Sequence, residues 1–265
     1  MMKGLATLLI ATLLTSFAAM AGPLEISFGG GPTATALADI NASIGVFNAL
    51  ISHLNETFDT HPEVSGSVDP LDPMVSGLSF RAAERFWLID WFGVGASVEY
   101  FSAASSTIGF FEGADVSTID VDLGMRTVSI VLSGAATFVD LGIRLGVEGG
   151  VGYYYGIWDR SVVFEVPVEY PDAISGVPPN GEDRFTGSTI GFEVGLSLSY
   201  PIAEWFTIGS TVTYRAATIN TIANSEGTQL DLDGDGSPEA LDLDGITVRL
   251  TISLNIDLSL NGEKE

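Results

Sequence analysis

Apolar residues recur at every second position of this chain, over stretches longer than a soluble sheet needs, and that period-two pattern constrains the fold most. Successive side chains of a strand point to opposite faces, so such a pattern is a strand with one apolar face. In 141–155 the odd positions read Leu141, Ile143, Leu145, Val147, Gly149, Val151, Tyr153, Tyr155, and the even ones are mostly glycine, with Arg144 and Glu148. In 187–200, Ile190, Phe192, Val194, Leu196, Leu198 and Tyr200 share a face. Ile246, Val248, Leu250, Ile252, Leu254, Ile256 and Leu258 form a seven-residue stripe. A bilayer takes about 9–11 tilted strand residues, and this stripe is long enough to cross one. Weaker alternation covers 24–31, 77–88, 91–103, 116–138 and 205–219. The parity of 116–138 changes between Met125 and Val128, which predicts a β-bulge there.

Composition decides which face is outside. A solvated strand face is usually rich in lysine, yet the only lysines are Lys3 and Lys264, outside every strand. The polar faces are Gly, Ser and Thr with scattered charges: Arg81, Arg85, Arg126, Arg144, Arg215 and Arg249 against Glu25, Glu99, Asp120, Asp122, Glu148, Glu193 and Asp257. Small residues with nearly balanced charge suit a cramped interior in which every buried charge needs a partner. The apolar stripes are therefore assigned to lipid. Glu84 falls on the lipid parity, near the end of its strand.

Lys3, the apolar run 5–18 and Ala19-Met20-Ala21 have the form of an export signal, predicting a signal peptide over 1–21 and one barrel domain over 22–265. No later stretch reaches the ~18 apolar residues of a membrane helix. There is no cysteine, which excludes thiol catalysis, thiolate metal sites and disulfides. The net charge of −24 argues against nucleic acid as a partner.

Short and long connections alternate. The segments 87–91, 138–140 and 201–205 read as tight turns flanked by Trp87, Trp91, Phe138 and Trp205, as at an interfacial girdle. The segments 32–73, 104–115, 158–185 and 220–242 read as long loops. The expected fold is all-β, a closed antiparallel transmembrane barrel of about eight strands. Ten is the alternative, if 162–168 forms a strand of its own.

Together these features resemble the small outer-membrane barrels of the OmpA-like or OmpW-like kind. The resemblance implies a bacterial outer-membrane location, lipid as surroundings and the assembly machinery for such barrels as a partner. Those barrels usually end in an aromatic residue that assists assembly, whereas this chain has Leu258-Ser259-Leu260 followed by a polar tail.

Two local features stand apart. In 36–58, Leu37, Ile40, Ile44, Phe47, Ile51, Leu54 and Phe58 recur at helical spacing. This predicts an amphipathic helix in the first long loop, N-capped by Thr35. It should cap the outer mouth with Asn41, Asn48, His53 and Glu56 wet. His53 and His61 have no accompanying nucleophile or third ligand. Then Asp231, Asp233, Asp235, Ser237, Glu239 and Asp242, with Gly236, match the spacing of a calcium loop, in which alternate carboxylates converge on one ion. Calcium is the one cofactor the residues suggest. No catalytic constellation stands out, so the expected role is a structural or surface-exposed membrane protein with a salt-bridged lumen. A narrow porin or a carrier for small solutes, apolar ones included, is the alternative.

Overall fold

The computed structural model describes residues 23–61, 65–112, 116–165, 180–231 and 236–257. The expected export signal, Asp233 and Asp235 lie outside them. Among the described residues, eleven strands and one helix follow in chain order: β1 (Leu24–Thr35), α1 (Ala38–Asp59), β2 (Ser65–Val68), β3 (Ser76–Ile89), β4 (Phe92–Glu112), β5 (Val116–Asp140), β6 (Arg144–Glu165), β7 (Gly181–Ala203), β8 (Phe206–Ala216), β9 (Thr218–Ile219), β10 (Leu241–Asp242) and β11 (Gly245–Ile256). Eight antiparallel strands form a ring in the order β4-β3-β1-β11-β8-β7-β6-β5, closed by β4 on β5. The first and last strands pair along their length, from Leu24↔Ile256 to Thr35↔Gly245. A closed ring leaves no unpaired edge, as strands in hydrocarbon require.

The turns β3–β4, β5–β6 and β7–β8 lie at one end, called here the turn end, where Trp91, Phe138 and Trp205 are exposed. Above them an apolar belt circles the outside; Val98, Val128, Val151, Leu196, Val212 and Leu250 are among its exposed members. Glu84 is the exception on this face, level with Ile26 and Ala96 and three residues from Trp87.

β1, β3, β8 and β11 are 11–14 residues long, enough for one bilayer crossing, whereas β4 to β7 run 21–25 residues. In the segments 104–115 and 158–185, expected as loops, residues 104–112, 158–165 and 181–185 are extensions of these strands. Val162 belongs to β6, so the ring has eight strands, not ten. Beyond the belt the chemistry of the two faces inverts. On β5, Ile119, Val121, Leu123 and Met125 are buried inside, while Asp122 is exposed outside and Asp120 half-exposed. This corrects two expectations. β4 and β5 pair without a register shift from 92↔136 to 112↔116, so there is no bulge at 125–128. The strand keeps its parity and its surroundings change, from lipid outside and polar lumen inside to water outside and apolar core inside. Asp120, Asp122 and Arg126 therefore face out, and are not lumen charges.

The elevated half-wall needs an apolar partner, and α1 supplies it. All seven predicted stripe residues are buried, in one cluster with Phe101, Phe111, Ile119, Met125, Trp158 and Phe164. Phe47 packs on Phe164 at 6.4 Å and Phe58 on Phe111 at 4.1 Å between ring centroids. Ile219, Ile222, Leu230 and Leu241, from the chain between β8 and β11, join the same cluster. A Cβ at Gly187 would stand 2.5 Å from the Thr221 carbonyl oxygen, so glycine allows that close approach. Thr35 is not the helix cap. The N-cap position is Leu37, at φ 38°, with no side-chain cap bond, and Thr35 remains in β1. Leu37 itself is fully buried.

Asn41 and Asn48, expected in water, are half-buried and bonded. Together with Asn55 they form a ladder along α1. Each side-chain amide accepts from a backbone N–H and donates to the carbonyl of the same residue: Asn41 with Met74 (2.7 and 3.2 Å), Asn48 with Leu71 (2.7 and 2.9 Å), Asn55 with Val68 (3.0 and 2.9 Å). The partner segment repeats apolar-Asp-Pro in Val68-Asp69-Pro70 and Leu71-Asp72-Pro73, then Met74, and buries every third residue. The spacings match, because seven helical residues rise about 10 Å and three polyproline-type residues about 9 Å. From the other side, Ser105 and Thr107 of β4 donate to the Asp72 and Asp69 carbonyls, both at 2.7 Å. Asn48→Ala strands the N–H and C=O of Leu71 and should cost about 1–3 kcal/mol in a urea titration. A midpoint equal to wild type would show that water serves those groups equally well.

Candidate functional site in the barrel lumen

The inward parity of the belt-level strands collects the charged side chains in the lumen. Register sets two facing pairs directly, Arg81↔Glu99 across β3 and β4 and Glu193↔Arg215 across β7 and β8. The ion pairs cross the lumen. Glu99 takes both Arg249 and Arg215, the latter at 3.4 Å; Arg81 pairs with Glu193 at 2.6 Å and Glu148 at 3.7 Å; Arg85 pairs with Glu148 at 2.8 Å. Arg249 also donates to Thr213 Oγ1 at 3.1 Å, and Arg215 Nε to the Leu243 carbonyl at 2.8 Å. The Arg215 guanidinium lies 5.5 Å from the Phe101 ring centre and 5.9 Å from that of Tyr154. Glu25 accepts from Trp87 Nε1 at 3.0 Å. Four arginines thus meet three glutamates in the low-dielectric interior, where an unpaired charge would be costly.

Along the axis three zones follow one another. At the turn end is a polar cavity of about 90 Å³, bordered by Glu25, Arg81, Arg85, Arg144, Glu148 and Arg249. Next comes the Arg–Glu layer around Glu99, and then the apolar core beneath α1. The middle layer consists of buried side chains that hold one another.

Of the remaining expected lumen charges, Arg144 stays at the rim of the lumen, and Asp257 and Arg126 lie outside it. Arg144 is half-exposed at the cavity mouth and pairs with Asp140 at 3.2 Å, a carboxylate from its own turn. Asp257 is exposed past the end of β11. Arg126 is on the outer wall above the belt, bound to Asp159, which Arg184 also binds at 2.6 Å. Partial burial pushes the Asp159 carboxyl up, but hydrogen bonds from Arg184 and Arg126 outweigh it and hold it below the usual carboxylate range. Asp159 and Arg184 were missed because their segment reads as a loop.

In the calcium-type loop, Gly236 sits at φ 85° and its N–H donates to Asp231 Oδ2 at 3.0 Å. Glu239 is buried and accepts from Ser43 of α1 at 3.0 Å, while Asp242 Oδ1 accepts from the Asp244 N–H at 3.0 Å. Ser237 is exposed.

No known protein family and no curated protein matches the chain. Solved structures similar over 89% of it include the outer membrane protein OprG from Pseudomonas aeruginosa, at 12% identity and TM-score 0.40 over 97% of that chain. Others are Neisserial surface protein A, at 10%, 0.43 and 97%, and a major outer membrane protein from Thermus thermophilus, at 10%, 0.44 and 100%. On its own strand pairing and outer belt, this chain is a closed eight-stranded antiparallel barrel of the membrane type.

Proposed function

We propose that the protein is a structural, surface-exposed outer-membrane barrel that does not conduct, carrying its acidic wall and α1 outside the cell. The Arg–Glu layer around Glu99 carries this reading, since it fills the lumen at belt level and is backed by a packed apolar core. Among the described residues, the paired groups leave neither a general base beside a nucleophile nor a continuous polar path, which favours this role over a porin or an enzyme. In planar bilayers the refolded protein should give no stable single-channel opening. Large, steady conductance would replace this reading with a porin.

We further propose that the loop 231–242 takes calcium through Asp231, Asp233, Asp235 and Asp242. The support is the sequence spacing together with the Gly236–Asp231 bond, whereas Glu239 is engaged by the helix. Calorimetry should show a site of modest affinity, about 10⁻⁴–10⁻³ M, that Asp233→Asn with Asp235→Asn abolishes. Absence of heat at millimolar calcium would reduce the spacing to coincidence.

A further inference from the structure

We propose that the cavity at the turn end of the lumen binds a small inorganic oxyanion of the phosphate type. Its walls carry four arginines, Arg81, Arg85, Arg144 and Arg249, against two carboxylates, Glu25 and Glu148. Both carboxylates are already engaged, Glu25 by the Trp87 indole and Glu148 by Arg85. The glutamates that balance Arg81 and Arg249, namely Glu193 and Glu99, do not border the cavity and sit in the layer behind it. The cavity therefore meets the positive side of each of those pairs. Arg249 is 2% exposed, and its Nε has no hydrogen-bond partner among the described residues.

The rest of the lining is largely hydroxyl, with Ser27, Ser197 and Ser253 able to turn a proton toward an acceptor. Guanidinium forks and hydroxyls set around a small space fit the several oxygens of a tetrahedral anion better than a spherical ion. A chain of net charge −24 attracts no anion as a whole, so the selectivity is local. Affinity should be weak, because counting the carboxylates behind the wall brings the lumen close to neutral. Entry is from the turn end, where Arg144 and Asp140 are 43% and 57% exposed and pair with each other.

The test uses the whole barrel in a phosphate-free maltoside detergent, titrated with inorganic phosphate at constant ionic strength against a chloride control. Phosphate should bind at millimolar strength. Arg144→Gln should weaken it about fivefold, and Asp140→Asn, which frees Arg144, should strengthen it by a similar factor. Both changes are at an exposed rim, so folding is preserved. Heat no greater than in chloride would overturn the proposal. Phosphate binding indifferent to both substitutions would place the anion elsewhere and overturn it equally.

Discussion

Glu99→Ala should destabilise the folded barrel by about 3–5 kcal/mol, the usual cost of removing one partner from a buried pair. Glu99 and Arg249 are both 2% exposed, and Glu99 also holds Arg215, so the change leaves two guanidinium groups buried without their shared carboxylate. Urea unfolding in micelles measures the loss. Asp140→Asn is the control, since it breaks an ion pair in water and should cost at most about 1 kcal/mol. If the two variants unfold at the same denaturant concentration, the lumen at Glu99 is wet and the middle layer is no barrier.

The second large effect comes from the belt. Leu250 is 76% exposed near the middle of β11, so Leu250→Arg places a charge near the bilayer midplane at about 2–4 kcal/mol. Ser106→Arg also points outward, but above the belt and beside Asp122, where it should fall within about 0.5 kcal/mol of wild type. Folding yield into lipid vesicles separates the two. Equal yields would mean that the belt is not in hydrocarbon.

Much of this was legible in the sequence because strand period and helix period report directly on faces. The stripe Ile246–Ile256 and the helix stripe Leu37–Phe58 needed nothing else. The lumen charges Arg81, Arg85, Glu148, Glu193, Arg215 and Arg249 followed from parity alone. What period does not report is the medium on each side. Asp120 and Asp122 share the outward face of Val128 and Leu132, but they stand in water and the valine and leucine in lipid. That change of solvent reads, in one dimension, as a change of parity. The asparagine ladder was hidden for another reason. Asn41, Asn48 and Asn55 at seven-residue spacing look like a wet helix edge until their partners are known. Those partners lie 13 to 33 residues away in a segment with no strand or helix signal.

The unbroken pairing of β4 with β5 also limits how such a wall can change in length. Each residue added to or removed from the middle of β5 exchanges the two faces of everything beyond it. Loss of Gly124 alone would set Asp120 and Asp122 against α1 and turn Ile119 and Val121 toward water, while leaving the membrane half untouched. A wall of this kind can be lengthened or trimmed only in steps of two residues on both arms of a hairpin. Single insertions have to be absorbed at a β-bulge or at the turns.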